Sequence, residues 1–254
     1  PLVANLAHTV HQTCIRCADG RASGRFGAMV QSLEAGRTMA YKTPAHLAEV
    51  AKAAVELDGV RDMVLTTGTP NVIDRGAAVL AESARAIKAA IDLPLQVQCE
   101  PPRDHNWFER LRDAGADSLG MHLEAATQAV REKIMPGKAT VSVERYMEAF
   151  ASAVPVFGRG QVNTYILAGL GDSAEEILNL AERLITLGVY PFVVPFVPIS
   201  GTPLEQHTPP SADFMKSVLA PLGQMLRNAN MKSTDIRAGC GRCGACSSLS
   251  AYEA

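Results

Sequence analysis

The chain has 254 residues, 47% of them apolar, and its 24 Lys/Arg against 26 Asp/Glu give a formal charge of −2. That length and apolar content suit one domain over residues 1–254 with a full core, 205–254 being a C-terminal extension, and the balanced charge excludes a basic face for nucleic acid or a polybasic membrane anchor. The longest apolar runs, such as Tyr190–Ile199, contain prolines and fall short of the ~20 residues of a membrane span, so a soluble cytoplasmic protein acting on a small molecule is expected.

The chain begins at Pro1 rather than Met, so its start reads as trimmed. A first strand is expected near Leu6–Thr13, followed by Cys14 and Cys17. Thr43-Pro44 caps a helix through Ala45–Leu57, and further helix patterns cover Asn71–Ile91, Asp104–Ala114, Ser142–Val154 and Ser173–Leu187. Strand patterns at Asp62–Thr67, Leu95–Cys99, Ser118–Leu123, Gln161–Leu167 and Phe192–Phe196 alternate with them, which argues for six βα units on a parallel sheet.

Side-chain parity distinguishes the possible sheets. Gln96, Gln98 and Glu100 share one face of the third strand, Ser118, Gly120, His122 and Glu124 one face of the fourth, and Gln161, Asn163 and Tyr165 one face of the fifth. A flat, doubly covered sheet reads apolar on both faces. A curved sheet with its polar face inward resolves the conflict, and the fold expected is a partial (βα)6 TIM-like barrel with a cysteine-rich tail.

Function in barrels sits at the carboxyl ends of the strands. There Thr66, Thr67, Gly68 and Thr69 form either an anion-binding turn or an ordinary capped strand-to-helix turn. Leu167, Gly169 and Gly171 let a flat ligand approach backbone, while Asp172 reads as a cap of the next helix. Ser200–Leu204 reads as a turn. Glu100, His122 and Glu124 point into the proposed lumen as a satisfied polar network or a catalytic set.

Cys240-Gly-Arg-Cys243-Gly-Ala-Cys246 has the spacing of a metal loop, for iron–sulfur or zinc, against the alternative of three unrelated surface thiols. Cys14 and Cys17 form a second tight pair, and Cys99 reads as packing inside a strand.

Together with Gln12-Thr-Cys-Ile-Arg16, Ser32-Leu33 through Lys42-Thr-Pro44, Gln96–Pro102, Tyr165–Asp172 and Gly201-Thr-Pro-Leu204, these motifs resemble biotin-synthase-like radical S-adenosylmethionine (radical SAM) enzymes. The closest likeness is to the radical SAM family encoded beside nitrilase genes, and it covers nearly the whole chain.

The resemblance implies a radical SAM barrel with a three-cysteine [4Fe–4S] cluster near the first strand and SAM on the cluster's free iron, and a 5′-deoxyadenosyl radical that abstracts hydrogen from a small substrate of nitrile or nitrogen metabolism. A reductant such as flavodoxin or ferredoxin is then required. It places Thr66–Thr69 toward the SAM amine, Leu167–Gly171 toward the adenosine, and His122 and Glu124 toward substrate. Cys14 matches one cluster position and Cys17 is extra, but Gly24-Arg-Phe-Gly27 stands where a Cys-x-aromatic-Cys is expected, and glycine has no side chain to ligate iron. Three readings stand: a lost radical site, a cluster rearranged around Cys14, Cys17 and the C-terminal thiols, or altered residues at 24 and 27. A metal- and SAM-binding barrel without catalysis is the alternative function; a metal-independent lyase using Glu100, His122 and Glu124 lacks a strand-end lysine for Schiff-base chemistry.

Overall fold

A computed structural model describes residues 6–8, 42–200 and 202–253, with β1 (Leu6–His8) described as backbone. Cys14, Cys17, Gly24 and Gly27, and with them the expected cluster loop, lie outside the described residues.

Among the described residues six parallel strands run in sequence order: β1, β2 (Met63–Thr67), β3 (Leu95–Gln98), β4 (Ser118–Gly120), β5 (Val162–Ala168) and β6 (Tyr190–Pro195). Among the described residues the helices between them are α1 (Pro44–Asp58), α2 (Ala77–Ala90), α3 (Asn106–Asp113), α4 (Gln128–Ile134), α5 (Pro136–Ala139), α6 (Val143–Phe157) and α7 (Ala174–Leu187); α8 (Ala212–Asn228) and the single-turn α9 (Cys240–Cys243) follow β6. This is the expected α/β architecture, a parallel sheet curved into a partial barrel with an outer layer of helices.

Local signals set the helix starts. Thr43 Oγ1 accepts from His46 N at 3.2 Å with Pro44 in the first turn, and Ser173 and Glu176 form a reciprocal capping box on α7. Along α7, Ile177, Leu180, Ala181, Leu184 and Ile185 form one buried stripe, each large side chain contributing about 1.5–3 kcal/mol by leaving water. The helix expected from Asn71 begins only at Ala77. Asn71 Oδ1 instead accepts from Ile73 N and Asp74 N, and Arg75 and Gly76 both have positive φ. A Cβ at Gly76 would meet the Thr67 methyl at 2.3 Å, so this close turn needs glycine.

Parity holds in three dimensions, but the lumen is not open along its length. In register, Gln96 pairs with Ser118, and Gln98 with Gly120, which pairs in turn with Asn163. At the base, the tail after α8 runs beneath the strands. Gln161 Nε2 donates to Asp235 O at 2.9 Å, Arg237 N to Gln161 Oε1 at 2.9 Å, Ala238 N to Ser118 Oγ at 3.3 Å, and Gly239 N to Asp62 Oδ1 at 3.0 Å. The base-side residues Gln96, Ser118 and Gln161, expected to line a cavity, are occupied by the chain itself, because a sheet that opens at its lower end leaves polar groups that only more backbone can satisfy.

Tail residues share the main core: Val218, Leu219, Leu222, Leu226, Met231, Ile236 and Leu249 belong to the same buried cluster as the strand residues. Glu253 accepts from the Tyr190 hydroxyl and from Ser233 N at 2.9 Å. No helix among the described residues is long and apolar enough to cross a membrane.

Candidate functional site

At the carboxyl ends of the strands, Thr66, Thr67, Gly68, Thr69, Gln98, Cys99, Glu100, His122, Glu124 and Lys138 line one pocket that opens to solvent. The structure therefore brings together the loop after β2 and the expected set Glu100, His122 and Glu124.

Glu100, just past β3, accepts from Thr69 Oγ1 at 2.7 Å and from Arg75 Nη1 at 2.7 Å. The carboxylate thus ties the threonine loop to the positive-φ turn before α2. Its neighbour Cys99 is 7% exposed, and burial, with Glu100 and Asp74 adding to it, pushes the thiol up to about 12. It stays protonated at neutral pH, in keeping with a packing role even though it reaches the pocket.

β4 ends at Gly120 rather than continuing to Leu123. Leu123 N turns to Thr164 Oγ1 at 2.9 Å, and Glu124 adopts φ 68°, a left-handed conformation costly for a residue with a Cβ. Two backbone bonds hold it there, Glu124 N to Tyr165 O at 3.0 Å and Leu167 N to Glu124 O at 2.7 Å. The turned backbone carries the Glu124 carboxylate to Lys138 Nζ, 2.8 Å away in an ion pair whose side chains are each 9% exposed. His122 Nδ1 accepts from Tyr165 N at 3.2 Å, and its ring meets the Tyr165 ring edge-on at 4.6 Å.

Two buried charges brace this arrangement from behind. Arg131, fully buried on α4, donates to Leu123 O at 3.1 Å, Val141 O at 2.6 Å, Lys138 O at 3.1 Å and Gln128 Oε1 at 3.3 Å, with its guanidinium 4.9 Å from the Tyr146 ring centre. It joins the end of β4 to the turn that carries Lys138. Asp172 does not cap its own helix, since Ser173 does. Its carboxylate accepts from Ala126 N at 2.8 Å, Thr127 N at 3.0 Å and Thr127 Oγ1 at 2.7 Å, fixing the loop after Glu124. Neither role was legible in the sequence. Lys138 was missed as well, because α5 is four residues long and carries no period.

Leu167, Gly169 and Gly171 do not reach that pocket's wall. Gly169, φ 103°, has Pro210 so close that a Cβ would stand 2.8 Å from its ring, and Gly169 O is 2.7 Å from His207 Nε2. The stretch expected to receive adenosine is thus covered on one side by residues 207–210.

Gly239, bonded to Asp62 at the opposite end of the strands, leads into the turn that carries Cys240 and Cys243, and Cys246 follows it, exposed. Among the described residues no group of three His, Cys, Asp or Glu side chains is placed to hold a metal ion, so the three thiols are not gathered as expected. β1 runs parallel to β2 with His8 beside Thr67, and the chain leaves it at the pocket end.

A model of the radical SAM superfamily matches residues 11–184. The bacteriochlorophyllide c C-7(1)-hydroxylase of Chlorobaculum limnaeum is 31% identical over 126 residues, 49% of this chain and 31% of that protein. The dual-specificity RNA methyltransferase RlmN of Solidesulfovibrio magneticus is 30% identical over 136 residues, 50% of this chain and 37% of that protein. The chain thus spans about a third of the length of these relatives. Among solved structures, the FeFe-hydrogenase maturase HydG from Carboxydothermus hydrogenoformans matches with TM-score 0.59 at 18% identity, over 74% of this chain and 44% of that one. A radical SAM methyltransferase from Sphaerobacter thermophilus matches with TM-score 0.57 at 17% identity, over 85% and 62%.

Proposed function

We propose a function from the premise that this chain belongs to the radical SAM superfamily, whose members use a [4Fe–4S] cluster and SAM. The pocket at the strand ends is a chamber for SAM and a small substrate, and the protein is a radical SAM-type enzyme of the biotin-synthase-like kind, similar to the nitrilase-linked family and acting in nitrile or nitrogen metabolism. The observation that carries the reading is the meeting of Thr66–Thr69 with Glu100, His122, Glu124 and Lys138 in one pocket at the catalytic end of the sheet.

The donor set suits an amino acid headgroup. Glu100, paired with Arg75, and Glu124, paired with Lys138, present charge-compensated polar groups that an amino acid headgroup can join through hydrogen bonds, and the threonine loop adds hydroxyls and backbone N–H groups. When bound, the cluster and SAM supply one-electron cleavage of a carbon–sulfur bond. The chain's own residues do the positioning: Glu100 holds the threonine loop, Arg131 and Asp172 hold Glu124 and Lys138, and His122 faces the substrate. A small molecule rather than RNA is favoured by the net charge of −2.

Gly24 and Gly27, standing where two cluster thiols are expected, favour a second reading, a barrel that binds SAM without cleaving it. One experiment decides between them. After anaerobic reconstitution with iron, sulfide and a strong reductant, 5′-deoxyadenosine released from SAM is measured for the parent and for Gly24→Cys with Gly27→Cys. Phe26 still occupies the aromatic slot, so release by the double variant and not by the parent is expected, which supports the second reading for the chain as it stands. Release by the parent supports the enzyme, and silence from both overturns the assignment of the chamber to SAM chemistry.

A further inference from the structure

The floor of the pocket and the C-terminal tail are joined by a chain of two side-chain amides. Gln98 lines the pocket, and its Nε2 donates to Gln96 Oε1 at 2.8 Å; Gln96 Nε2 in turn reaches Ala238 O at 3.4 Å. Gln96 is fully buried and Gln98 only 9% exposed, so neither amide is at liberty to turn toward bulk water. The tail lies directly against Gln96: a Cβ on Gly239, φ 104°, would stand 2.2–2.4 Å from its amide atoms, so only glycine permits the approach.

An amide is a donor at one end and an acceptor at the other, so its orientation depends on what its neighbours offer. Neither tail N–H beside Gln96 donates to it. Ala238 N is committed to Ser118 Oγ and Gly239 N to Asp62 Oδ1, leaving the Ala238 carbonyl, which only accepts. Gln96 must therefore present its NH2 group downward and its oxygen upward. Gln98 must then point its own NH2 group down to that oxygen, which leaves its Oε1 turned to the pocket. Reversing either amide sets two oxygens, or two NH2 groups, against each other in a buried site.

We propose that residues 238–239 of the tail set the hydrogen-bond polarity of the pocket floor through Gln96, so that Gln98 offers an acceptor and the floor selects a bound group carrying an N–H or O–H donor, such as an amide or hydroxyl. Gln96 is a positioning residue and Gln98 the contact. The inference rests on the reading of this pocket as the chamber for cofactor and substrate, and it gives the tail a part in recognition that its place at the far end of the strands conceals.

Side-chain amide exchange, followed by NMR on the full-length chain labelled with ¹⁵N, reads the polarity directly. The Gln98 NH2 protons should exchange with solvent at least about tenfold more slowly than those of the exposed Gln206. In Gln96→Met, which removes the acceptor below, that protection should be lost, and acetamide should lose a roughly threefold advantage over N,N-dimethylacetamide, which cannot donate, in perturbing the Gln98 signal. Exchange in the parent as fast as at Gln206, protection unchanged in Gln96→Met, or equal response to the two probes would each overturn the proposal. Titration of the parent with S-adenosylhomocysteine reads the chamber separately: failure to bind sinks that assignment and leaves the exchange result standing.

Discussion

Arg131 offers the most direct test of how the site is held together. It is fully buried, and its acceptors are the backbone oxygens of Leu123, Val141 and Lys138 with the Gln128 amide. Arg131→Met keeps most of the side-chain length and removes every donor. Three buried carbonyls then lose their partners at about 1–3 kcal/mol each, and a guanidinium–ring contact of about 1 kcal/mol goes with them. Against this, the variant no longer desolvates a charge, a saving of several kcal/mol, so a net loss of about 3–5 kcal/mol is expected. Arg131→Lys keeps the charge but cannot span oxygens on three separate segments, and a loss of about 2–3 kcal/mol is expected. Urea unfolding of the full chain measures both. If Arg131→Met unfolds within about 1 kcal/mol of the parent, water or a shifted turn satisfies the carbonyls and the arginine does not hold Lys138 in place.

Two further perturbations probe the ends of the sheet. Asp172→Asn keeps the shape of a carboxylate that accepts three hydrogen bonds while 5% exposed, but turns an NH2 group toward N–H donors; a loss of about 2–3 kcal/mol by chemical unfolding is expected, and a neutral result would show that the loop after Glu124 does not depend on it. At the base, burial above all, then the bond to Glu253, raises the Tyr190 phenol above its ordinary value. The folded state thus favours the protonated form, and this contribution is fully present below the unfolded value of about 10 and is lost as pH rises beyond it. The parent should lose stability more steeply than Tyr190→Phe above about pH 10, and parallel pH profiles would refute the coupling.

The barrel was legible because it is written in periods. Alternation in β3, β4 and β5 alone places Gln98, Glu100, His122 and Glu124 on one face, and the same residues line the pocket. Parity cannot say how far along a strand the lumen stays open. Gln96 and Gln98 read identically in sequence, yet one is covered by Ala238 and Gly239 and the other faces the pocket. The difference comes from a segment about 140 residues away, and no local pattern encodes it. Lys138 and Arg131 were missed for a related reason. α4 and α5 are too short to show a helical period, and a buried arginine whose partners are mostly backbone oxygens leaves no complementary acid to betray it.

Asp172 shows the other way a local reading fails. An acidic residue just before a serine-capped helix has the chemistry of a cap, and the sequence gives no reason to prefer a distant partner. The choice was settled at Glu124. A non-glycine residue at φ 68° needs outside support, and the loop after it has two backbone N–H groups facing Asp172. With Ser173 and Glu176 already closing the helix end through their capping box, the carboxylate was available to meet that need. The residue that looks like punctuation between β5 and α7 is thus part of what aims Glu124 at Lys138, and mutating the cap and mutating the aim are separable operations on adjacent positions, Ser173 and Asp172.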